Sequence, residues 1–234
     1  MESCILTFVK FLENEGKIDE QDLSTLEFSR RLREKINWKL IGATVVGEES
    51  DALILSREVF SRGADEVLAH IWKGRKDSDV LSSAFIMKRF IDYSKCKLVV
   101  FGERSSDTSS GSLGAYVAGL SGMSLLMFVK EVVEIQEKKI VASSVLNGEI
   151  LIRAELPAVL IPAGELFSPR PVLIRDRLEA KRKSPSLVSF NEEVNSLTRL
   201  LSVRKPEYRK RSSFELKSAE EILRVFAKVV GDIS

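Results

Sequence analysis

The 234-residue chain carries 36 Lys and Arg against 34 Asp and Glu, a formal net charge of +2, with hydrophobic residues at 44%. That balance excludes a general attraction to nucleic acid or anionic lipid and leaves enough apolar material for one sizeable core in a soluble globular protein. Two cysteines, Cys4 and Cys96, without a CxxC pair, and a single histidine, His70, exclude a Cys-rich zinc site and a multi-His metal site, so no metal is expected.

Reduced thiols in a cytoplasm are the simpler reading of so few cysteines. The opening Met1-Glu2-Ser3-Cys4 and the short apolar run Ile5 to Val9 lack the basic leader and the length of a signal peptide. No uninterrupted apolar stretch reaches about 18 residues, so a cytoplasmic protein without membrane insertion is expected.

In chain order, Cys4 to Val9 has the apolar, partly β-branched composition of a strand, and Leu26 to Ile36 has helical spacing. Lys39 to Val46 reads as a strand, Asp51 to Arg62 as a helix with Ala52, Leu55 and Val59 on one face and Gly63 at its end, and Glu66 to Trp72 as a strand ending near His70. His70 in that position reads as structural. Val80, Ala84, Met87 and Ile91 mark another helix, and Lys97 to Phe101 is too apolar for a strand with one wet face, which predicts a central parallel strand.

This alternation predicts an α/β fold, a parallel sheet flanked by helices in a Rossmann-like three-layer arrangement, with ligands bound beyond the carboxyl ends of its strands, in the loops after Val9, Val46 and Phe101. From residue 123 to 162 the pattern changes to β runs: Ser124 to Glu134, Ile140 to Val145, Glu149 to Glu155 and Ala158 to Ile161, with Asn147-Gly148 as a hairpin signal. A Pro-punctuated basic segment and a polar stretch from Ser186 to about Ser202 predict an extended surface arm, and Ser218 to Val230 a terminal helix with Ser218 and Glu221 spaced as a capping box. The expected division is an α/β domain over residues 1–183 and an arm with its helix over 184–234.

Gly102 to Gly114 follows the most apolar strand and precedes a predicted helix, Ala115 to Leu120. Its hydroxyls and glycines suit either an anion cradle, with backbone N–H groups and a helix N-terminus facing a phosphate, or a flexible Ser-rich turn that caps the helix. Neither GxxxxGK[ST] nor GxGxxG occurs here, so Walker-type hydrolysis and ordinary dinucleotide binding lack their residues.

The stretch resembles the nucleotide-binding segment of electron-transfer flavoprotein β subunits at Gly102, Asp107, Gly114, Ala118 and Gly119. Val9-Lys10, Asp22 with Leu26-Glu27 and Leu32 to Lys35, Gly63-Ala64-Asp65, Leu156-Pro157-Ala158-Val159, Pro169-Arg170 and Ala180 to Lys183 are similar to that family's other motifs, in order. Asn-Pro is missing from a shortened linker before Asp22, Arg104-Ser105 replaces Gln-Ala, and Thr108-Ser109-Ser110 replaces the Gly-Asp-Thr of members that bind a second flavin, which marks a divergent member.

The resemblance implies a non-catalytic electron-carrier subunit that pairs with an α subunit, holds AMP structurally and helps to form the α subunit's FAD site. It implies an AMP site at Phe8, Val9, Asp22, Val46, Gly102, Asp107, Thr108, Ser109, Ser110, Gly111, Ser112, Leu113 and Gly114. Arg175, Arg177, Lys181, Arg182 and Lys183 read as a solvated helix face from composition alone. By resemblance the segment after them docks flavin dehydrogenases, such as the acyl-CoA dehydrogenases of fatty acid β-oxidation, through exposed Leu187, Val194 and Leu197. Two alternatives stay open: a bifurcating form with a second FAD in the cradle, and a stand-alone adenine-nucleotide module of the stress-protein or ATP-splitting kind.

Overall fold

The computed structural model describes residues 2–73, 78–106, 109–190, 196–198, 201–202, 204 and 218–231. Among these residues, eleven strands and six α-helices follow in the order β1 (Glu2–Phe8), β2 (Phe11–Leu12), β3 (Lys17–Ile18), α1 (Glu20–Ile36), β4 (Lys39–Val46), α2 (Glu49–Ser61), β5 (Glu66–Ile71), α3 (Val80–Ser94), β6 (Cys96–Val100), α4 (Leu113–Ser121), β7 (Ser124–Ile135), β8 (Lys139–Ser144), β9 (Ile150–Glu155), β10 (Ala158–Pro162), α5 (Ile174–Ala180), β11 (Ser186–Leu187) and α6 (Ala219–Gly231). All but β2 and β3, which form a small hairpin, join one 9-stranded sheet in the order β11-β5-β4-β1-β6-β10-β7-β8-β9. From β11 to β7 every pairing is parallel, while β8 and β9 run antiparallel.

Parallel neighbours require crossovers, and these cover both faces as the strand–helix alternation predicts. On one face Ile5, Leu40, Leu98 and Leu160 pack against Leu26 and Phe28 of α1 and Leu55 and Val59 of α2; Ala180 of α5 joins the same cluster. On the other, Leu6, Phe8, Val99 and Ile161 meet Ile86 and Phe90 of α3 and Val117 of α4. The long antiparallel wing begins within β7, where the register shifts between Ile161/Met127 and Pro162/Val129 and Phe128 takes φ 53°. This bulge releases β7 from β10 and turns its second half toward β8.

The chain divides into two compact units, Met1–Arg199 and Leu200–Ser234. In the second, α6 opens with Ser218 Oγ accepting the Glu221 N–H at 3.2 Å, the side-chain half of the predicted capping box. In the first, the polar stretch after Ser186 is not wholly a surface arm. Ser186–Leu187 adds an edge strand to β5, the Val188 N–H donates to the Ala69 carbonyl at 2.9 Å, and Val188 and Phe190 pack into the α3–α4 face. His70 has the structural role expected of it: Nδ1 lies 3.0 Å from the Val188 carbonyl oxygen and its ring packs against Phe190, in one aromatic cluster with Phe90.

One expectation is corrected. Cys4 and Cys96 are joined in a disulfide between the adjacent strands β1 and β6, with Cα atoms 4.8 Å apart, and are not reduced thiols. The cysteines lie 92 residues apart, so only the β1–β6 pairing brings them together, and no local motif announces it.

Asp65 ties three elements at the start of β4. Its carboxylate accepts the Leu40 N–H at 2.9 Å and two hydrogen bonds from the Arg33 guanidinium of α1, at 2.9 and 2.6 Å. Partial burial pushes its carboxyl up, but Arg33 and the Leu40 N–H outweigh it and hold the carboxyl below its ordinary value. The stabilisation is therefore complete above the unfolded carboxylate value of about 4 and is lost as pH falls through the lower folded value. Asp65→Asn should cost about 1–2 kcal/mol at neutral pH, and the gap from the unchanged protein should close toward pH 2, as read by urea denaturation at both pH values.

Candidate functional site

The sheet reverses its winding direction at β1. The chain runs outward from β1 through α1 to β4 and then β5, and returns through α3 to β6 on the other side of β1. Loops leaving β1 and β6 thus diverge above neighbouring strands, the position at which open α/β sheets hold ligands. The β2–β3 hairpin and the start of α1 form one wall of the crevice, and Arg104, Ser105, Ser106 and Ser109 of the loop after β6 line the other. Between them lies a cavity of about 300 Å³ lined by residues that include Lys17, Asp19, Glu20, Arg104, Ser106 and Ser109.

The expected binding residues fall into two groups. Phe8 stacks on Phe101 with ring centroids 4.5 Å apart, the Val9 N–H donates to the Ala43 carbonyl at 2.9 Å, and the Val46 carbonyl accepts the Trp72 N–H at 2.8 Å. All three side chains are buried in the core, so they form the floor of the crevice and not its lining. Asp22 accepts the Lys10 N–H at 2.6 Å and fixes the chain as it leaves β1.

The second group is the loop itself. Ser109, at φ 50°, bonds back to the Ser105 carbonyl through its N–H at 2.9 Å and its Oγ at 3.1 Å, closing a turn. Gly111 at φ 60° redirects the chain into α4, where Ser112 is the N-cap residue but makes no side-chain cap, its Oγ lying 3.3 Å from that of Ser110. The N–H groups of the first turn, Leu113 and Gly114 among them, are the ones a helix leaves without intrahelical acceptors. Asp107 and Thr108 lie outside the described residues.

Glycines here serve packing. A Cβ on Gly102 would sit 2.5 Å from Asp22 Oδ1, and one on Gly114 would sit 2.9 Å from Ile161 Cδ1 and 3.3 Å from Phe101 Cβ. Glycine at these positions lets α1 and β10 approach the loop closely.

Two crevice residues escaped the sequence reading. Asp19 accepts the Gln21 N–H at 3.0 Å and both the N–H and the Oγ–H of Ser106, at 2.8 and 2.6 Å, so the start of α1 is stitched to the loop after β6. The signal available was Asp19 as an N-cap residue with Glu20 and Asp22 in the first turn, chemistry that marks a helix start six residues before the apolar periodicity begins.

Of the expected docking residues, Leu187 lies in β11 and Leu197 on the arm, 48% and 78% exposed, and Val194 falls outside the described residues. The arm is anchored beside Leu197 by Asp79, the N-cap residue of α3. Its Oδ2 accepts the N–H groups of Leu197 at 2.8 Å and Thr198 at 3.0 Å, and its own N–H donates to Ser196 Oγ at 2.9 Å. The Ser82 hydroxyl and N–H, followed by the Thr198 and Leu197 N–H groups, hold the Asp79 carboxyl far below its usual range.

Strand order, reversal point and edge crevice define the class: a doubly wound α/β protein with a crevice at the carboxyl edge of its sheet. The model of the electron transfer flavoprotein domain matches residues 8–193, and the chain belongs to that family, as a divergent member on the β-subunit side. It is 25% identical over 167 residues to "Electron transfer flavoprotein subunit beta" of Thermoanaerobacterium thermosaccharolyticum, covering 71% of this chain and 63% of that protein. It is 25% identical over 210 residues to the probable β subunit of Schizosaccharomyces pombe, covering 87% of this chain and 81% of that protein. The β subunit of Dictyostelium discoideum is 23% identical over 211 residues, covering 88% of this chain and 82% of its own length.

Two outcomes follow from this geometry. Gly114→Val should destabilise the fold by about 1–3 kcal/mol through overpacking against Ile161, so any ligand it loses should be lost with thermal stability and not before it. Asp79→Ala should remove the α3 cap and speed amide exchange at Leu197 and Thr198 while leaving the amides of β1 and β6 protected.

Proposed function

We propose that this chain is the β subunit of a heterodimeric electron-transfer flavoprotein, a carrier subunit without bond chemistry of its own. The observation that carries this reading is the extent of the family match, which runs from the end of β1 through β11 and takes in both walls of the crevice and the beginning of the arm. The partner α subunit holds most of the FAD, and this chain forms one wall beside it. FAD, when bound, supplies the redox chemistry, and the protein positions it.

The same reading puts AMP at the crevice in a structural role. The uncapped first turn of α4 after Gly111 offers N–H groups to one phosphate, and the hydroxyls of Ser109, Ser110 and Ser112 stand along the approach. These residues fit a phosphate. The partner surface is supported by apolar side chains left open on the antiparallel wing: Val133, Ile150 and Leu151 are exposed, the last at 70%. Among the described residues no helix is long and apolar enough to cross a membrane.

Leu187, Val194 and Leu197 dock flavin dehydrogenases, the acyl-CoA dehydrogenases among them. One apolar anchor should dominate, so a single alanine substitution should cost on the order of 2 kcal/mol in docking while the others cost little. Dehydrogenase-linked reduction of the heterodimer's flavin measures this, with chemical reduction as the control. Full electron-transfer rates in all three variants would place recognition elsewhere.

Co-expression with an α-type partner tests the assignment itself. The heterodimer should be yellow and yield AMP and one flavin on denaturation, and this chain alone should retain little flavin. A monodisperse, flavin-loaded monomer would sink the reading, and a second flavin per heterodimer would replace AMP as the crevice ligand.

A further inference from the structure

The Asp79 carboxylate divides its two oxygens between a helix and the arm. Oδ1 caps α3, accepting the N–H of Ser82 at 2.8 Å together with the Ser82 hydroxyl. Oδ2 faces the arm and accepts the N–H groups of Leu197 at 2.8 Å and Thr198 at 3.0 Å, with the Thr198 hydroxyl at 3.3 Å. The arm also reaches into the cap itself. The Ser196 hydroxyl accepts the Asp79 N–H at 2.9 Å and lies 3.1 Å from Ser82 Oγ, inside the capping box. Three consecutive residues of the arm are thus tied to the first turn of a core helix.

Hydrogen bonds to an ionised carboxylate are about twice as strong as neutral ones. The Ser82 hydroxyl and N–H, followed by the Thr198 and Leu197 N–H groups, hold the Asp79 carboxyl far below its usual range, so the anchor keeps its charge at neutral pH. What it displays is Leu197, whose N–H is held while its side chain is 78% exposed. A leucine open to water on a loose segment carries a cost into any complex, because docking removes the freedom of the backbone that bears it. Holding the segment beforehand takes that cost out of the binding step.

We propose that Asp79 is a positioning residue for docking: its Oδ2 pre-orders residues 196–198 so that Leu197 meets a flavin dehydrogenase in a fixed place. The proposal rests on the docking reading above and deepens it, since that reading names the apolar anchors and not what holds them. Capping and presentation are separable because they use different oxygens. In Asp79→Asn the remaining carbonyl oxygen keeps the α3 cap, asparagine being as good an N-cap as aspartate. The amide NH2 in place of Oδ2 is a donor set against two N–H donors, so the hold on the arm is lost.

The test uses the heterodimer as electron acceptor of an acyl-CoA dehydrogenase, with its concentration varied to separate KM from kcat. Asp79→Asn and Leu197→Ala should each raise the KM for the heterodimer by on the order of tenfold, with kcat at saturation and chemical reduction of the flavin retained. The double variant should be no worse than the poorer single one, because without the anchor there is nothing left to present. A raised KM in Leu197→Ala beside an unchanged one in Asp79→Asn overturns the proposal and leaves the docking reading standing, as do effects that multiply in the double variant. An unchanged KM in Leu197→Ala also overturns the proposal, and unchanged values in Leu187→Ala and Val194→Ala beside it overturn the docking reading as well. Should Asp79→Asn fail to assemble with its partner, Ser196→Ala must raise KM in the same way, and an unchanged KM there overturns the proposal.

Discussion

Strand β1 is hydrogen-bonded to β4 on one side and to β6 on the other, all three parallel, and most other features follow from that arrangement. Ile5 and Leu6, on opposite faces of β1, are both fully buried, so the strand has no solvent face on which a connection could rest. A parallel pair cannot be closed by a tight turn; each link must cross a face of the sheet, and each new strand starts again from the same end. The exits of β1 and β6 therefore lie side by side, and the segments that leave them diverge to opposite faces, into α1 and toward α4. A crevice at that edge is a consequence of topology before any side chain is chosen.

What the side chains add is control of the opening. Asp22 holds the Lys10 N–H, Asp19 holds Ser106, and Gly102 has no Cβ to push Asp22 away. The two loops, far apart in sequence, are joined by carboxylates from the first turn of a single helix. That placement also suits α1, because acids at a helix start offset the partial positive charge of its free N–H groups while Arg33 and Lys35 serve its last turn. Cap and latch are the two oxygens of one carboxylate, Oδ1 holding Gln21 and Oδ2 holding Ser106. A change at Asp19 acts on helix and loop together, which couples the stability of α1 to the shape of the crevice.

The elements that a strong local pattern defines are the ones the sequence reading placed best. Lys39 to Val46 matches β4 residue for residue, the apolar run ending at Phe101 is an interior strand, and Asn147 and Gly148 take the positive φ values of 51° and 123° that their hairpin requires. Readings that depend on distant partners fared differently. The first residues of α1, Glu20, Gln21 and Asp22, are polar and are held helical by capping and tertiary hydrogen bonding, so periodicity alone begins the helix too late. Ser186 to Phe190 reads as polar surface until β5 supplies an edge and His70 a carbonyl contact. The disulfide was hidden for the same reason, since strand neighbours are fixed by topology and not by spacing. At the crevice, the loop was visible from its glycines and hydroxyls, but Phe8, Val9 and Val46 belong to the floor, and the residue that closes the opening, Asp19, carried only a cap signature.

The wing beyond β10 obeys a different rule from the rest of the sheet, and Phe128 marks where the rule changes. Up to Met127, β7 is a parallel strand paired with β10, with Leu126 fully buried. Val129 is shared between Pro162 of β10 and Ser144 of β8, and from Glu131 onward β7 pairs with β8 alone, where an antiparallel strand needs cover on only one face. Val129, Val132 and Ile140 turn inward, while Val133, Ile150 and Leu151 are left open on the wing. β9 closes the sheet as an edge strand, and an uncovered edge beside exposed apolar side chains is a surface that proteins ordinarily shield. In a chain whose parallel half is enclosed by its own helices, the antiparallel half is where a second chain has room to add what the fold leaves uncovered, and the positive φ at Phe128 is the local strain by which one strand serves both halves.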